Sequence, residues 1–101
     1  MEIKKQHSAN GLVFHLAGDI KWIDGIILSR EVERFHNKEY SRILINLKQV
    51  TFVDSIAIGG FVFLNRIMDK VNKKLFFKPN KYIREVFRKH SLDRILTILD
   101  S

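Results

Sequence analysis

Val50-Thr51-Phe52-Val53-Asp54-Ser55-Ile56-Ala57-Ile58-Gly59-Gly60-Phe61 is the stretch on which the reading of this 101-residue chain turns. Asp54 and Ser55 are residue types that start helices, because a short side-chain oxygen reaches the unpaired N–H groups of a first turn. Beyond them Ala57, Phe61, Leu64, Met68 and Val71 recur at helical spacing, with Asn65, Arg66, Asp69 and Lys70 between. That spacing predicts a helix opening at Ser55. Ahead of it, Ile43-Ile45 and Leu47 with Leu44 and Asn46 form a nearly continuous apolar run, the pattern of a central strand buried on both faces.

Working outward, Trp22 to about His36 places Ile23, Ile27, Leu28, Val32 and Phe35 at helical spacing, with Arg30, Glu31, Glu33 and Arg34 opposite them. Gly18-Asp19-Ile20-Lys21 breaks the pattern before that helix, and Asn37 to Ser41 reads as a polar loop after it. Asn10-Gly11 is a tight-turn pair between a weakly alternating edge strand, Ile3 to His7, and a strand over Leu12 to Ala17. On the C-terminal side, Leu75-Phe76-Phe77 reads as a short strand closed by Pro79. Asn80 can cap a helix over Tyr82, Ile83, Val86 and Phe87, and Ser91 a last helical turn over Leu92 to Leu96. The order is β-β-α-β-α-β-α-α. Strand–helix–strand crossovers require parallel pairing and the hairpin is antiparallel, so the expectation is an α/β fold with a mixed four-stranded sheet and helices packed on it.

Composition narrows the chemistry. A chain of this length, 46% hydrophobic and 29% charged, has globular composition and suits one domain over residues 1–101. Cysteine is absent, which excludes disulfides, thiolate catalysis and cysteine-held metals. The longest apolar run, Ile56 to Leu64, is too short to cross a bilayer, and the lysines near the N-terminus have no apolar signal core behind them; a cytoplasmic protein is expected. The net charge is +7 and unevenly placed. Residues 1–59 hold eight Lys/Arg against seven Asp/Glu, and residues 60–101 hold ten against four. Such a basic half attracts nucleic acid, anionic headgroups or an acidic protein surface, and serves equally as a solvated face.

Enzyme signals are lacking. His7, His15, His36 and His90 never fall at metal-ligand spacing, although His7 and His15 could meet across the hairpin. There is no phosphate-cradling loop and no nucleophile elbow around any serine. Neither a catalytic residue nor a cofactor is expected. Phe76, Phe77, Tyr82 and Phe87 sit at core spacing, and no nucleic-acid motif accompanies the basic charge.

Asp54-Ser55 stands apart. One reading makes either residue a simple helix cap, a contribution of about 1 kcal/mol. The reciprocal capping box is missing, because Ile58 occupies the position three after Ser55. The other reading is a regulatory phosphorylation site. A phosphate there is tolerated by the helix dipole and free N–H groups, and adds close to two negative charges beside Asp54.

At these residues the chain resembles a STAS domain, the family of anti-sigma factor antagonists and sulfate-transporter C-terminal domains. The family's hairpin ends in G-E-L-D, here Gly18-Asp19-Ile20-Lys21. Its apolar strand ends in L-D-L, here Ile45-Asn46-Leu47, and its V-x-F-[ML]-D-S-S-G-L-G loop is Val50 to Gly59. Its closing G-L-D-R-[LI] is Ser91-Leu92-Asp93-Arg94-Ile95. The four motifs fall in register over nearly the whole chain.

The resemblance implies a binding protein rather than an enzyme. In the antagonist branch the unphosphorylated domain captures an anti-sigma factor and so frees a sigma factor. That anti-sigma factor is commonly a serine kinase of the histidine-kinase-like ATPase type, and it phosphorylates the serine after the loop aspartate. Here that serine is Ser55. The implied contact surface is Asp54, Ser55, Ile56, Ile58, Gly59 and Phe61, with Lys21 nearby. Gly59 and Gly60 suit either close approach of a partner or tight packing of the helix on its own sheet. Three departures are evident: Ile56 and Ala57 replace the second serine and the glycine of D-S-S-G, Lys21 replaces an acid, and Asn46 an aspartate. Two alternatives remain. One is a small regulatory subunit that docks on the ATPase of an ABC-type lipid transporter without phosphorylation. The other is a nucleic-acid-binding module driven by the basic half, recognisable by salt-sensitive binding.

Overall fold

The computed structural model describes residues 1–9, 11–36 and 40–99, without the side chains of Phe35 and His36. The elements are β1 (Glu2–His7), β2 (Gly11–Ile20), α1 (Trp22–His36), β3 (Arg42–Val53), α2 (Ser55–Lys70), β4 (Lys74–Pro79), α3 (Lys81–Lys89), a 3-10 turn (Leu92–Arg94) and β5 (Thr97–Ile98). The sheet order is β1-β2-β3-β4-β5. β1 pairs antiparallel with β2, and every later neighbour is parallel.

The α/β mixed sheet is as expected, but it has five strands among the described residues rather than four, and the last helical turn, expected over Leu92 to Leu96, is a 3-10 turn over Leu92–Arg94. Ser91 adopts a left-handed conformation (φ 57°) and its side chain does not cap. Only the single 3-10 turn forms, and Thr97-Ile98 then pairs with Phe76-Phe77 as an extra edge strand. Five residues between Ser91 and Thr97 leave no length for a helix once Leu92 and Leu96 are both buried.

Two strands also run longer than the sequence suggests. β2 continues through Gly18-Asp19-Ile20, where a bulge is accommodated by Gly18 at φ +84°, a conformation that glycine adopts without steric cost. β3 continues to Val53 through a register shift opposite His15–Ala17. At the hairpin, Asn10 lies outside the described residues. Gly11 is the first residue of β2, its carbonyl accepting the Ser8 N–H at 2.9 Å. The expected loop residues 37–39 likewise lie outside the described residues.

The parallel strands follow one another across the sheet in chain order, and right-handed crossovers in one direction put every helix on the same face. Leu12, Phe14 and Leu16 of β2, Ile43, Ile45 and Leu47 of β3, and Leu75 and Phe77 of β4 are buried against that layer. Ala57, Phe61, Leu64 and Met68 of α2 and Ile83 and Phe87 of α3 meet them. Phe61, Phe77 and Phe87 pack together, with Phe87 edge-on to each of the other two at 6.1 Å between ring centroids. This aromatic trio joins α2, β4 and α3. The expected burial of β3 on both faces is corrected: Leu44, Asn46 and Lys48 alternate outward and are only half-buried, because no helix crosses that side.

Candidate functional site

The C-terminal ends of β2 and β3 deliver the chain to the starts of α1 and α2, so two helix N-termini lie next to each other. Asp54 is the residue that joins them. Its Oδ1 accepts the Ala57 N–H at 2.8 Å and so caps α2. Its Oδ2 accepts the Trp22 N–H at 3.0 Å, at the first residue of α1. The main chain closes the arrangement, with Asp54 N–H donating to the Ile20 carbonyl at 3.1 Å. One carboxylate therefore satisfies donors at the positive ends of two helices. The cap is Asp54 and not Ser55.

Ser55 is the first residue of α2 and is exposed. Ile56, next to it, is 67% exposed, far from the usual state of a large aliphatic side chain. Lys21 is exposed too. Its main chain starts α1, its carbonyl accepting Asp24 N–H at 2.9 Å while its own N–H donates to Asp24 Oδ2 at 2.9 Å. One leg of the capping box, the side chain three residues on reaching back to the first N–H, is thus present at α1. Because Trp22 is held by Asp54, Lys21 stands beside the same junction as Ser55.

Two of the expected contact residues do not reach the surface. Ile58 is 6% exposed and Phe61 0%, and both face the sheet as part of the core. Helical geometry explains the correction: with Ala57 and Phe61 four apart and inward, Ile58 shares their face. Gly59 is exposed and a Cβ there would meet nothing within 4 Å. Gly60 faces α1, where its Cβ would lie 3.9 Å from Gly25 Cα, and a Cβ on Gly25 would lie 3.7 Å from Ala57 Cα. Gly25 and Gly60 thus sit where the two helices pack on each other, with room for an ordinary Cβ contact, and not where a helix packs on its sheet.

Three further residues belong here that the sequence reading passed over: Trp22, Ile26 and Phe63, 54%, 45% and 57% exposed. With Ile56, and with Gly25, Gly59 and Gly60 as floor, they line an apolar groove of about 480 Å³ between α1 and α2. Ile23 and Ile27, expected in the core, are exposed as well, and Leu28 and Val32 alone hold α1's described inward face. A signal was available. Trp22, Ile23, Ile26, Ile27 and Leu28 crowd the first two turns, more apolar side chains than one helix stripe can bury.

The histidines do not meet. Lys4, not His7, faces His15 across the hairpin. His7 Nδ1 hydrogen-bonds the Tyr40 hydroxyl, and His15 bonds Gln6 and Asn46. His36 lies outside the described side chains. No group of His, Asp or Glu among the described residues could hold a metal ion. No helix among them is long and apolar enough to cross a membrane.

The fold and the motifs at this junction define an α/β domain of the STAS type. The STAS domain family model matches residues 1–101, and the chain belongs to that family. Among solved structures it is similar to the Thermotoga maritima protein TM1081 (TM-score 0.87, 20% identity, covering 100% of this chain and 82% of that one). It is also similar to an anti-sigma factor antagonist from Mycobacterium paratuberculosis (TM-score 0.85, 13% identity, 99% and 86% covered). The Bacillus cell fate determinant SpoIIAA in its phosphorylated form aligns as well (TM-score 0.74, 16% identity, 99% and 93% covered). At these identities the shared property is the fold. No curated protein matches the sequence.

Proposed function

We propose that this chain is an anti-sigma factor antagonist: a binding protein that captures an anti-sigma factor and is released from it by phosphorylation of Ser55. The observation that supports the reading is the junction itself. An exposed serine hydroxyl sits at the first position of α2, one residue beyond a capping carboxylate and beside the exposed Ile56.

Unphosphorylated, the surface is apolar at Ile56, Trp22, Ile26 and Phe63, with the hydroxyl of Ser55 and the ammonium of Lys21 at its end. Burial of such a patch drives association, at roughly 25 cal/mol per Å² of apolar area removed from water. A phosphate on Ser55 places close to two negative charges at the edge of that contact. The helix N-terminus tolerates it within the free domain, where dipole and amides contribute about 0.3–1 kcal/mol. Asp54 commits its two oxygens to Ala57 and Trp22. The added charge lies at the first turn of α2, where the helix dipole and amides offset its repulsion from Asp54, and it faces whatever lies across the interface. Domain stability changes little and partner affinity changes much, which is what a switch requires.

The partner in this reading is an anti-sigma factor that is itself a serine kinase of the histidine-kinase-like ATPase type. No chemistry on a substrate falls to this chain, and its place is the cytoplasm. The exposed apolar groove supports a second reading, a regulatory subunit docked on the ATPase of an ABC-type lipid transporter irrespective of Ser55. Affinity capture with wild-type, Ser55→Ala and Ser55→Asp baits separates the two. The antagonist reading expects a kinase-type ATPase on wild type and Ser55→Ala and its loss from Ser55→Asp. A transporter ATPase retained equally by all three would overturn it.

A further inference from the structure

On the sheet face opposite the helices, we infer a second docking surface, shaped for an acidic amphipathic helix of a protein partner and independent of the Ser55 junction. The strand register orders this face into rows that run across the strands. Gln6, Val13, Leu44, Phe76 and Thr97 form one row, with Val13, Leu44 and Phe76 as three adjacent apolar side chains. On one side of that row stand Arg42 and Lys74, paired in register. On the other stand Lys4, His15, Asn46 and Lys78. An apolar stripe is thus bracketed by cations on both sides. Among the described residues, the carboxylates on this face, Glu2 and Asp19, lie beyond the brackets, toward Ala17 and Phe52.

The stripe is recessed. Val13, Leu44 and Phe76 are half-buried, and with Leu12, Leu99, Ser8 and Arg42 they line a shallow hollow of about 500 Å³. Adjacent strands are about 4.8 Å apart, so the three side chains extend roughly 10 Å along the row, about two turns of a helix lying across the strands. A helix with leucines along one stripe and Glu or Asp on each flank matches both the hollow and its rims. A flat bilayer does not, because recessed side chains cannot reach the acyl region. A nucleic acid gains nothing from an apolar stripe set between its phosphate contacts. A second copy of the chain would bring Arg42, Lys74 and Lys78 against their own kind.

The row beyond the stripe is also organised rather than loose. His15 Nε2 meets Gln6 Oε1 at 2.8 Å, and Asn46 Nδ2 meets His15 Nδ1 at 2.9 Å. Asn46 Oδ1 in turn accepts the Lys48 N–H at 3.0 Å. This polar ladder orders the row beside the stripe, so that a partner helix meets a preformed flank, which limits the entropic cost of docking.

The test uses the ¹⁵N-labelled full chain titrated with one probe, a synthetic 18-residue helical peptide with a leucine stripe flanked by glutamates. Amide shifts are expected at Val13, Leu44 and Phe76, and at least tenfold weaker binding to a Lys74→Glu/Lys78→Glu variant that keeps the wild-type circular dichroism. Ser55→Asp is expected to bind the peptide as wild type does. The inference is overturned if the same peptide with lysines in place of glutamates binds as well, or if the shifts fall at the start of α2. It is overturned equally if anionic phosphatidylglycerol vesicles, a 20-base-pair duplex DNA or self-association occupies this face in preference to the peptide.

Discussion

Asp54 Oδ2 accepts the main-chain N–H of Trp22 at 3.0 Å, across 32 positions of sequence, while Oδ1 of the same carboxylate caps α2 at Ala57. A single side chain thereby fixes the relative placement of two helix starts, one bearing Ser55 and the other Lys21 and Trp22. The surface proposed to bind a partner is held together from beneath by this residue.

Asp54→Ala is expected to lose about 1–3 kcal/mol in denaturant unfolding. A lost cap costs about 1 kcal/mol and a hydrogen bond to a charged group about 1.5–3, and the two share one side chain. Asp54→Asn keeps one acceptor oxygen and is expected to cost clearly less. Equal losses for both variants would show that the second hydrogen bond carries no stability.

Gly59 and Gly60 have separable roles, and one substitution at each tells them apart. A helix-interior glycine is about 0.5–1 kcal/mol worse than alanine, and Gly59 has open space around its Cβ position. Gly59→Ala is expected to raise stability by about that amount. If partner affinity falls at the same time, the glycine is present for the partner's approach. Gly60→Val, by contrast, is expected to destabilise by more than 1 kcal/mol, since its branch would press on Gly25 of α1. Melting curves of the two variants moving the same way would contradict this division.

Gly18 holds φ +84° at the β2 bulge. Gly18→Ala is expected to destabilise by about 1 kcal/mol or more even though a Cβ there meets no atom within 4 Å, because the cost is conformational. A variant as stable as wild type would mean that the backbone relaxes out of the left-handed region.

Glu31 is held below the usual carboxylate range, first by its hydrogen bond from Lys5 Nζ at 2.9 Å and then by the charges of Lys5 and Arg34. A depressed folded-state pKa means that the contribution is complete at neutral pH. It fades as the pH falls through the ordinary carboxylate range and is gone below the lowered value. An NMR titration of the Glu31 carboxyl should show a higher midpoint in Lys5→Ala. The accompanying loss of stability at neutral pH should stay within about 0.2–1 kcal/mol, since the pair is at the surface. An unchanged midpoint would remove Lys5 as the cause.

Much of this architecture was legible in the sequence for simple physical reasons. The helix opened by Asp54-Ser55, the cap at Asn80 and the parallel crossovers all follow from residue types at short spacing. Asn80 does accept the Ile83 N–H, at 2.8 Å. What escaped detection depends on non-local pairing. Thr97-Ile98 has no strand signature of its own and becomes β5 only because Phe76-Phe77 offers an open edge. The outward half of β3 reads as core in the sequence, because Leu44 looks the same there whether or not a helix covers it. Of the site, Ser55, Asp54, Ile56, Gly59 and Lys21 stand at the junction, whereas the depth of Ile58 and Phe61 is set by the phase of α2. Trp22 joins Asp54 through a main-chain N–H, which no side-chain motif can announce.

The central claim is that Ser55 is a phosphorylation switch, and one measurement addresses it most directly. The chain is incubated with ATP and the ATPase it captures from an extract of its native cells, and the phosphorylated residue is located by fragment mass spectrometry while complex dissociation is followed. The account predicts one phosphate, on Ser55, appearing as the complex falls apart, and neither event with Ser55→Ala. A complex that persists unmodified, or that dissociates equally well with Ser55→Ala, would contradict it.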